Sequence, residues 1–136
     1  MSDKGKYWFG KAMTVSLGFS ALTATNNEEY SFWVAPFPIK VVKCSVIFDD
    51  AVTGAATNNF GVRFKNKGAA GSGTSVMVTK TFDNAINASQ FDEVDLGAVS
   101  YAEFNEGDTI TFEKFENNSG ANMPGVTAVI QYIRVR

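Results

Sequence analysis

Histidine is absent from the 136-residue chain, and cysteine occurs once, as Cys44. The first absence removes the usual general base of serine- and cysteine-dependent hydrolysis. The second excludes an internal disulfide and every cysteine-rich zinc site. Charge is scarce as well: only 19% of residues are charged, and 12 basic residues are offset by 14 acidic ones, for a formal net charge of −2. No basic run exists, which argues against a nucleic-acid partner. No apolar run approaches the ~18 residues of a spanning helix, which argues against a membrane partner. Lys4 and Lys6 have no apolar stretch of about 7–15 residues behind them, so no secretory signal is expected. A chain made and used in a reducing compartment fits these features, as does one that leaves the cell by lysis, which needs no export signal.

Helical periodicity is also missing. No stretch of helical length carries apolar residues at i, i+3, i+4 and i+7 without glycine or β-branched crowding. Strand signals recur instead. The clearest is Asn58–Lys67, where Phe60, Val62 and Phe64 alternate with Gly61, Arg63 and Lys65, giving one oily and one charged face. Ile39–Asp49 places Val42, Cys44, Val46 and Phe48 on one face, with Val41 and Ile47 as exceptions on the other. Ser75–Phe82 sets Val76, Val78 and Phe82 to one side. Further strands are expected over Ala12–Gly18, Tyr30–Ala35, Phe91–Val99 and Thr109–Phe115. The last run, Val126–Val135, has Ala128, Ile130 and Tyr132 on one face and Val129, Ile133 and Val135 on the other. With both faces apolar, it is expected to be covered twice, by a central position or by a subunit contact.

These runs predict an all-β fold: an antiparallel β-sandwich, jelly-roll-like, of about eight strands. An immunoglobulin-like sandwich is the competitor, without the Cys–Trp–Cys signature to support it. The expected organisation is an N-terminal arm over residues 1–11 and a single β-sandwich domain over residues 12–136. Pro36 and Pro38 flank Phe37 and cannot donate ladder hydrogen bonds, which marks an edge or a corner.

No residue is assigned a catalytic, cofactor-binding or metal-binding role, and the chain is read as a non-enzyme. Cys44 falls on the inward row of its strand, where a thiol stays protonated and structural. Asp49-Asp50, Glu28-Glu29 and the Asp92, Glu93, Asp95 group sit at strand ends, where solvated acids are routine, and none has the spacing of a calcium loop. In Lys67–Thr74 the lysine precedes the glycines and a strand follows, opposite to a phosphate-binding loop. A loop between strands is expected there. Asn and Thr, 11 of each, favour turns and neutral outer sheet faces.

Aromatics are the one excess: 12 Phe, 4 Tyr and 2 Trp. Most fall on inward rows. Tyr7, Trp8 and Phe9 are consecutive, so they cannot all face one way in a strand. Trp33 opposes Phe32 on its strand and precedes Phe37. Together with Val129, Ile133 and Val135, these five aromatics are the candidate partner-interface residues. The alternatives are that the leading trio caps an open end of the sandwich, that Trp33 is core, or that the rings form a sugar-stacking platform.

A strand with a valine row (Val42–Phe48) leads into Thr53-Gly54-Ala55-Ala56-Thr57-Asn58. Phe64-Lys65-Asn66-Lys67-Gly68-Ala69-Ala70-Gly71-Ser72-Gly73-Thr74 and a valine-rich strand follow. Phe104-Asn105-Glu106-Gly107-Asp108-Thr109-Ile110 and Pro124-Gly125 then open the last two strands. This serial pattern from Val41 to Val135 resembles small jelly-roll structural proteins of tailed bacteriophages. The resemblance implies a virion structural protein, made in the host cytoplasm and placed on the capsid exterior. As a decoration (cement) protein it would be a homotrimer seated over junctions of the major capsid protein, with residues 1–11 as a docking arm. A receptor- or carbohydrate-binding module of a tail or fibre is the alternative. No site residue carries over, since the family shares no chemical site.

Overall fold

Nine strands run in chain order through the computed structural model, which describes residues 11–135. They are β1 (Met13–Phe19), β2 (Glu28–Val34), β3 (Ile39–Phe48), β4 (Asn59–Gly68), β5 (Ser75–Thr81), β6 (Glu93–Asp95), β7 (Glu103–Phe104), β8 (Thr109–Asn117) and β9 (Val126–Arg134). One sheet has the order β1-β9-β3-β6, with β7 also on β3; the other has the order β2-β8-β4-β5. Every pairing is antiparallel. Apart from the β4–β5 hairpin and the β6–β7 step along β3, each connection crosses from one sheet to the other. This is the double-sheet, Greek-key path of a jelly roll. The immunoglobulin-like alternative is thereby excluded.

The sequence-based expectation of about eight strands corresponds to eight strand positions, because β6 and β7 share one. The run expected over Phe91–Val99 pairs only at Glu93–Asp95. Leu96 donates to the Cys44 carbonyl at 3.0 Å, and Gly97 then turns the chain off β3 at a φ of 109°. The chain crosses toward the other sheet, where the Ser100 amide reaches the Met77 carbonyl, and returns as β7.

Three register shifts overturn face assignments made from simple alternation. A bulged strand gains one residue, so every position beyond it changes side. In β3 the shift lies between Val41 and Lys43. Val41 is therefore buried while Val42 is 46% exposed, the reverse of the expected faces. In β5 it leaves Met77 as the extra residue, buried in the row where Val76 was expected. In β2 it falls between Ser31 and Trp33. Phe32 and Trp33 consequently both turn inward: Phe32 meets Phe64 edge-on at 5.4 Å and Trp33 meets Tyr132 at 4.7 Å.

Most of the aromatic excess is used in joining the two sheets. Phe48 of β3 meets Phe60 and Phe82 at 6.0 and 5.3 Å. Phe19 of β1 stacks on Tyr30 of β2 and Phe112 of β8 at 4.6 and 5.3 Å. Phe48, Phe60, Phe64, Phe82 and Phe112 are all fully buried, each stabilising the fold by about 1.5–3 kcal/mol relative to exposure. Such rings fill the ~10 Å between stacked sheets.

The crossing connections gather at two ends. At one end, residues 20–27, 49–58, 82–92 and 118–125 are fastened by amides: Asn117 Nδ2 donates to Asn59 Oδ1 at 2.7 Å, Asn118 Nδ2 to the Thr57 carbonyl at 2.6 Å, and the Gly54 amide to Asn87 Oδ1 at 2.8 Å. The abundance of asparagine thus has a structural use. At the other end, Pro36–Pro38 form the corner between β2 and β3, and the Gly107–Asp108 turn is tied to Ala35 by two backbone bonds of 2.9 Å. The glycine tract after Gly68 is the β4–β5 loop.

Candidate interaction surface

The outward row of β9 consists of Thr127, Val129, Gln131 and Ile133, since Val126, Ala128, Ile130 and Tyr132 are the buried set. Beside it, β3 presents Lys40, Lys43, Ser45 and Ile47, with Val42 in the bulge. Val129 is paired with Ser45 and lies diagonal to Ile47; Val42 lies diagonal to Ile133, whose direct partner is Lys40. Diagonal neighbours on one face are close enough for branched side chains to interact. Two apolar pairs therefore occupy the outside of the five-stranded sheet. Between them, the buried Ser45 hydroxyl donates to Glu93 Oε2 at 2.6 Å, and Lys43 Nζ lies 3.5 Å from Glu93 Oε1. The Ser45 hydrogen bond, with Lys43 second, holds the Glu93 carboxyl below its ordinary pKa.

The outside of the four-stranded sheet has a different character. Arg63, Lys65 and Lys67 of β4 face Glu29 of β2 and Glu113 of β8. Lys65 bridges to Glu113 at 3.1 Å and Glu29 at 3.4 Å, Lys67 to Glu29 at 3.2 Å, and Arg63 pairs with Glu113. The Thr111 hydroxyl donates to Glu29 at 2.7 Å and is the main reason its carboxyl titrates low. Glu29 and Glu93, expected as solvated turn acids, are thus strand residues in ion pairs. Arg63 also lies 4.5 Å over the Phe115 ring, and that ring covers Gly61, where any Cβ would collide with it. This face satisfies its own charges internally.

The candidate partner residues separate in space. Val129 and Ile133 come together on the outer face just described. Val135 follows β9, its amide bonded to the Pro38 carbonyl at 3.1 Å. Trp33 and Phe37 are half-buried and pack against the protein's own core, with Arg134 4.4 Å over the Phe37 ring. Trp33 also lines a groove of about 380 Å³ with Lys67, Thr109 and Thr111. Tyr7, Trp8 and Phe9 lie outside the described residues.

Sequence reasoning missed two surface aromatics. Phe91 and Tyr101 are 68% and 64% exposed, and both have positive φ, 62° and 49°, a conformation costly for a side chain of that size. Phe91 is held by its amide on the Phe48 carbonyl at 2.9 Å, Tyr101 by Asn66 Nδ2 on its carbonyl at 3.2 Å. No local sequence signal marks either one.

Among the described residues, Cys44 and Lys114 are titratable groups with no exposure. Burial, and secondarily Asp95, push the Cys44 thiol up to about 12, in keeping with its expected structural role. Lys114 occupies an inward position of β8 after Ile110 and Phe112 and is fully buried; burial pushes its ammonium below the ordinary lysine value. Among the described residues, no group of three or more His, Cys, Asp or Glu side chains is arranged to hold a metal ion. No helix among them is long and apolar enough to cross a membrane.

No family model matches the chain, and no curated protein matches it in sequence. Among solved structures it is similar to chains of infectious bursal disease virus. For the Gt strain structure the identity is 13% and the TM-score 0.39, covering 93% of this chain and 37% of that one. For the T13 viral particle the values are 11%, 0.36, 91% and 36%, and for the VP2 subviral particle 11%, 0.32, 93% and 38%. The chain thus spans less than two-fifths of the length of the chains it matches.

Proposed function

We propose that this chain is a virion structural protein that works by gripping other protein subunits and transforms no substrate. In its specific form it is a capsid decoration (cement) protein. It assembles as a homotrimer and seats on the capsid exterior over junctions of the major capsid protein. The observation that carries the reading is the outer face of the five-stranded sheet, where Val42 with Ile133 and Ile47 with Val129 present branched apolar side chains. Branched apolar side chains on an outer sheet face, set around the Ser45–Glu93–Lys43 cluster, mark a protein contact. The serial resemblance to phage jelly-roll proteins supplies the kind of partner. The four-stranded sheet, with its charges paired among themselves, is the face suited to solvent.

The test is co-sedimentation with empty capsids of the particle whose genome encodes the chain. The wild type is expected to pellet with them. The double variant Val129→Lys, Ile133→Lys is expected to keep the β-sheet circular dichroism of the wild type and to stay in the supernatant. A wild type that never pellets contradicts the proposal.

A second reading rests on Trp33, which lines a groove with Lys67, Thr109 and Thr111. An indole beside hydroxyls and an ammonium is suited to stacking on a sugar. Glycan-array binding lost on Trp33→Ala would favour a receptor- or carbohydrate-binding module.

A further inference from the structure

Among the described residues the two sheets have four edges, and three are protected against pairing with a further strand. β2 carries Glu28 and Glu29 and is bulged at Phe32. β5 carries Lys80, is bulged at Met77, and is approached by the 96–102 crossing through Ser100. The β6 and β7 edge consists of pieces of three and two residues bearing Glu93, Asp95 and Glu103. Charge, bulges, shortness and cover are the devices by which sheets blunt their edges.

β1 has none of them. Its seven residues pair with β9 in one unbroken register, Met13 opposite Tyr132 through to Phe19 opposite Val126. Met13–Phe19 contains no ionisable residue and no proline. Thr14, Ser16 and Gly18 are exposed, as is Leu17 at 42% although it belongs to the inward row. Among the described residues, no strand occupies the side of β1 away from β9.

We infer that the open edge of β1 pairs antiparallel with β1 of a second copy, joining two five-stranded sheets across a two-fold axis at Ser16. The occupant follows from the strand's own sequence. Folding Met-Thr-Val-Ser-Leu-Gly-Phe back on itself about Ser16 sets Met13 opposite Phe19, Thr14 opposite Gly18, Val15 opposite Leu17 and Ser16 opposite Ser16. The inward row meets only apolar side chains, and the outward row only small neutral ones. A one-residue slip would break this match on both faces. With no charge on the strand, two copies meet without repulsion, whereas β2 paired with itself about Ser31 would set Glu28 opposite Val34 and Glu29 opposite Trp33, charge against apolar side chains. The pairing adds about six to eight backbone hydrogen bonds and covers the exposed side of Leu17. An isologous two-fold contact of this kind closes on itself and does not propagate a fibre. It is independent of the trimer proposed above: combined with a three-fold contact it gives six copies, and alone it gives two.

Sedimentation equilibrium of the full chain, and of Ser16→Lys and Ser16→Glu, tests the pairing. Ser16 is an exposed position on an outward row, so both variants are expected to fold. The wild type is expected to contain an even number of copies. Each variant alone is expected to show half that mass, because like charges face each other across the axis. A one-to-one mixture of the two variants is expected to recover the wild-type mass through a Lys–Glu pair. A wild type that is monomeric or strictly trimeric overturns the inference. So does a mass indifferent to both variants, the result expected if the edge is taken by the chain's own N-terminal residues or by a capsid subunit. Capsid co-sedimentation reads the proposed function separately and does not depend on this contact.

Discussion

The ammonium of Lys114, buried in β8, donates to the carbonyl of Ala24 at 2.8 Å. It also reaches the carbonyls of Thr23 and Asn26, both at 3.1 Å, and Asn27 Oδ1 at 3.5 Å. Three inward-turned carbonyls of the β1–β2 loop thus converge on one cation, and three N–H donors match three backbone acceptors. The Lys114→Met variant keeps the length of the side chain and removes the donors. It is expected to lose about 2–4 kcal/mol, because buried acceptors are left unpaired. Urea denaturation measures this; a loss below about 0.5 kcal/mol, the size of an ordinary surface change, would show that water replaces the ammonium without cost.

Gly54 fastens two loops at the same end of the sandwich. A Cβ there would collide with the backbone carbonyl oxygens of Asp83 and Ile86, which cannot rotate away as a side chain can. Gly54→Ala is expected to destabilise by about 1–3 kcal/mol, the usual cost of overpacking. Amide hydrogen exchange is expected to quicken at Val52 and Ala88, whose paired amides donate at 2.8 and 2.9 Å across these loops. Unchanged exchange at both would contradict the close packing.

Glu29 and Glu93 both titrate low in the folded chain, Glu29 chiefly through Thr111 and Glu93 chiefly through Ser45. A carboxyl whose folded pKa lies below its unfolded value contributes stability that is fully present above the unfolded value, about 4.3 for Glu. That stability is lost as pH falls through the folded value. The urea midpoint is therefore expected to hold above about pH 5 and to fall below about 4.3. The double variant Thr111→Val, Ser45→Ala is expected to start lower and to have a shallower acid limb. An acid limb as steep as the wild type's would show that other carboxylates set it.

Cys44, with its thiol pushed up to about 12 and its side chain buried, is expected to ignore a thiol reagent at pH 8 in the folded protein and to react at once in denaturant. Rapid native labelling would place the thiol at the surface and contradict the inward row of β3.

These residues also show what could be read in the sequence. Phe60, Val62 and Phe64 were legible because they precede the register shift between Asn66 and Gly68, and up to it β4 keeps period two. The outward row of Val129 and Ile133 was legible because both alternate rows of β9 carry apolar residues. The bulges at Val42, Met77 and Phe32 were not, since a one-residue insertion leaves no mark in composition and is decided by partner strands. The inward turn of Trp33 follows from such a bulge. Lys114 was hidden for a different reason: its burial depends on carbonyls about ninety residues earlier. Only the crossing topology brings them beneath β8.

The proposed virion role is tested most directly by cryo-electron microscopy of particles produced from the genome that encodes this chain. Ordered copies are expected on the outside of the shell, over junctions between capsid subunits, with the Val129 and Ile133 face of β9 turned toward the shell. A purified particle that lacks the chain, or one that holds it with the ion-paired face of β4 and β8 against the shell, would contradict the account.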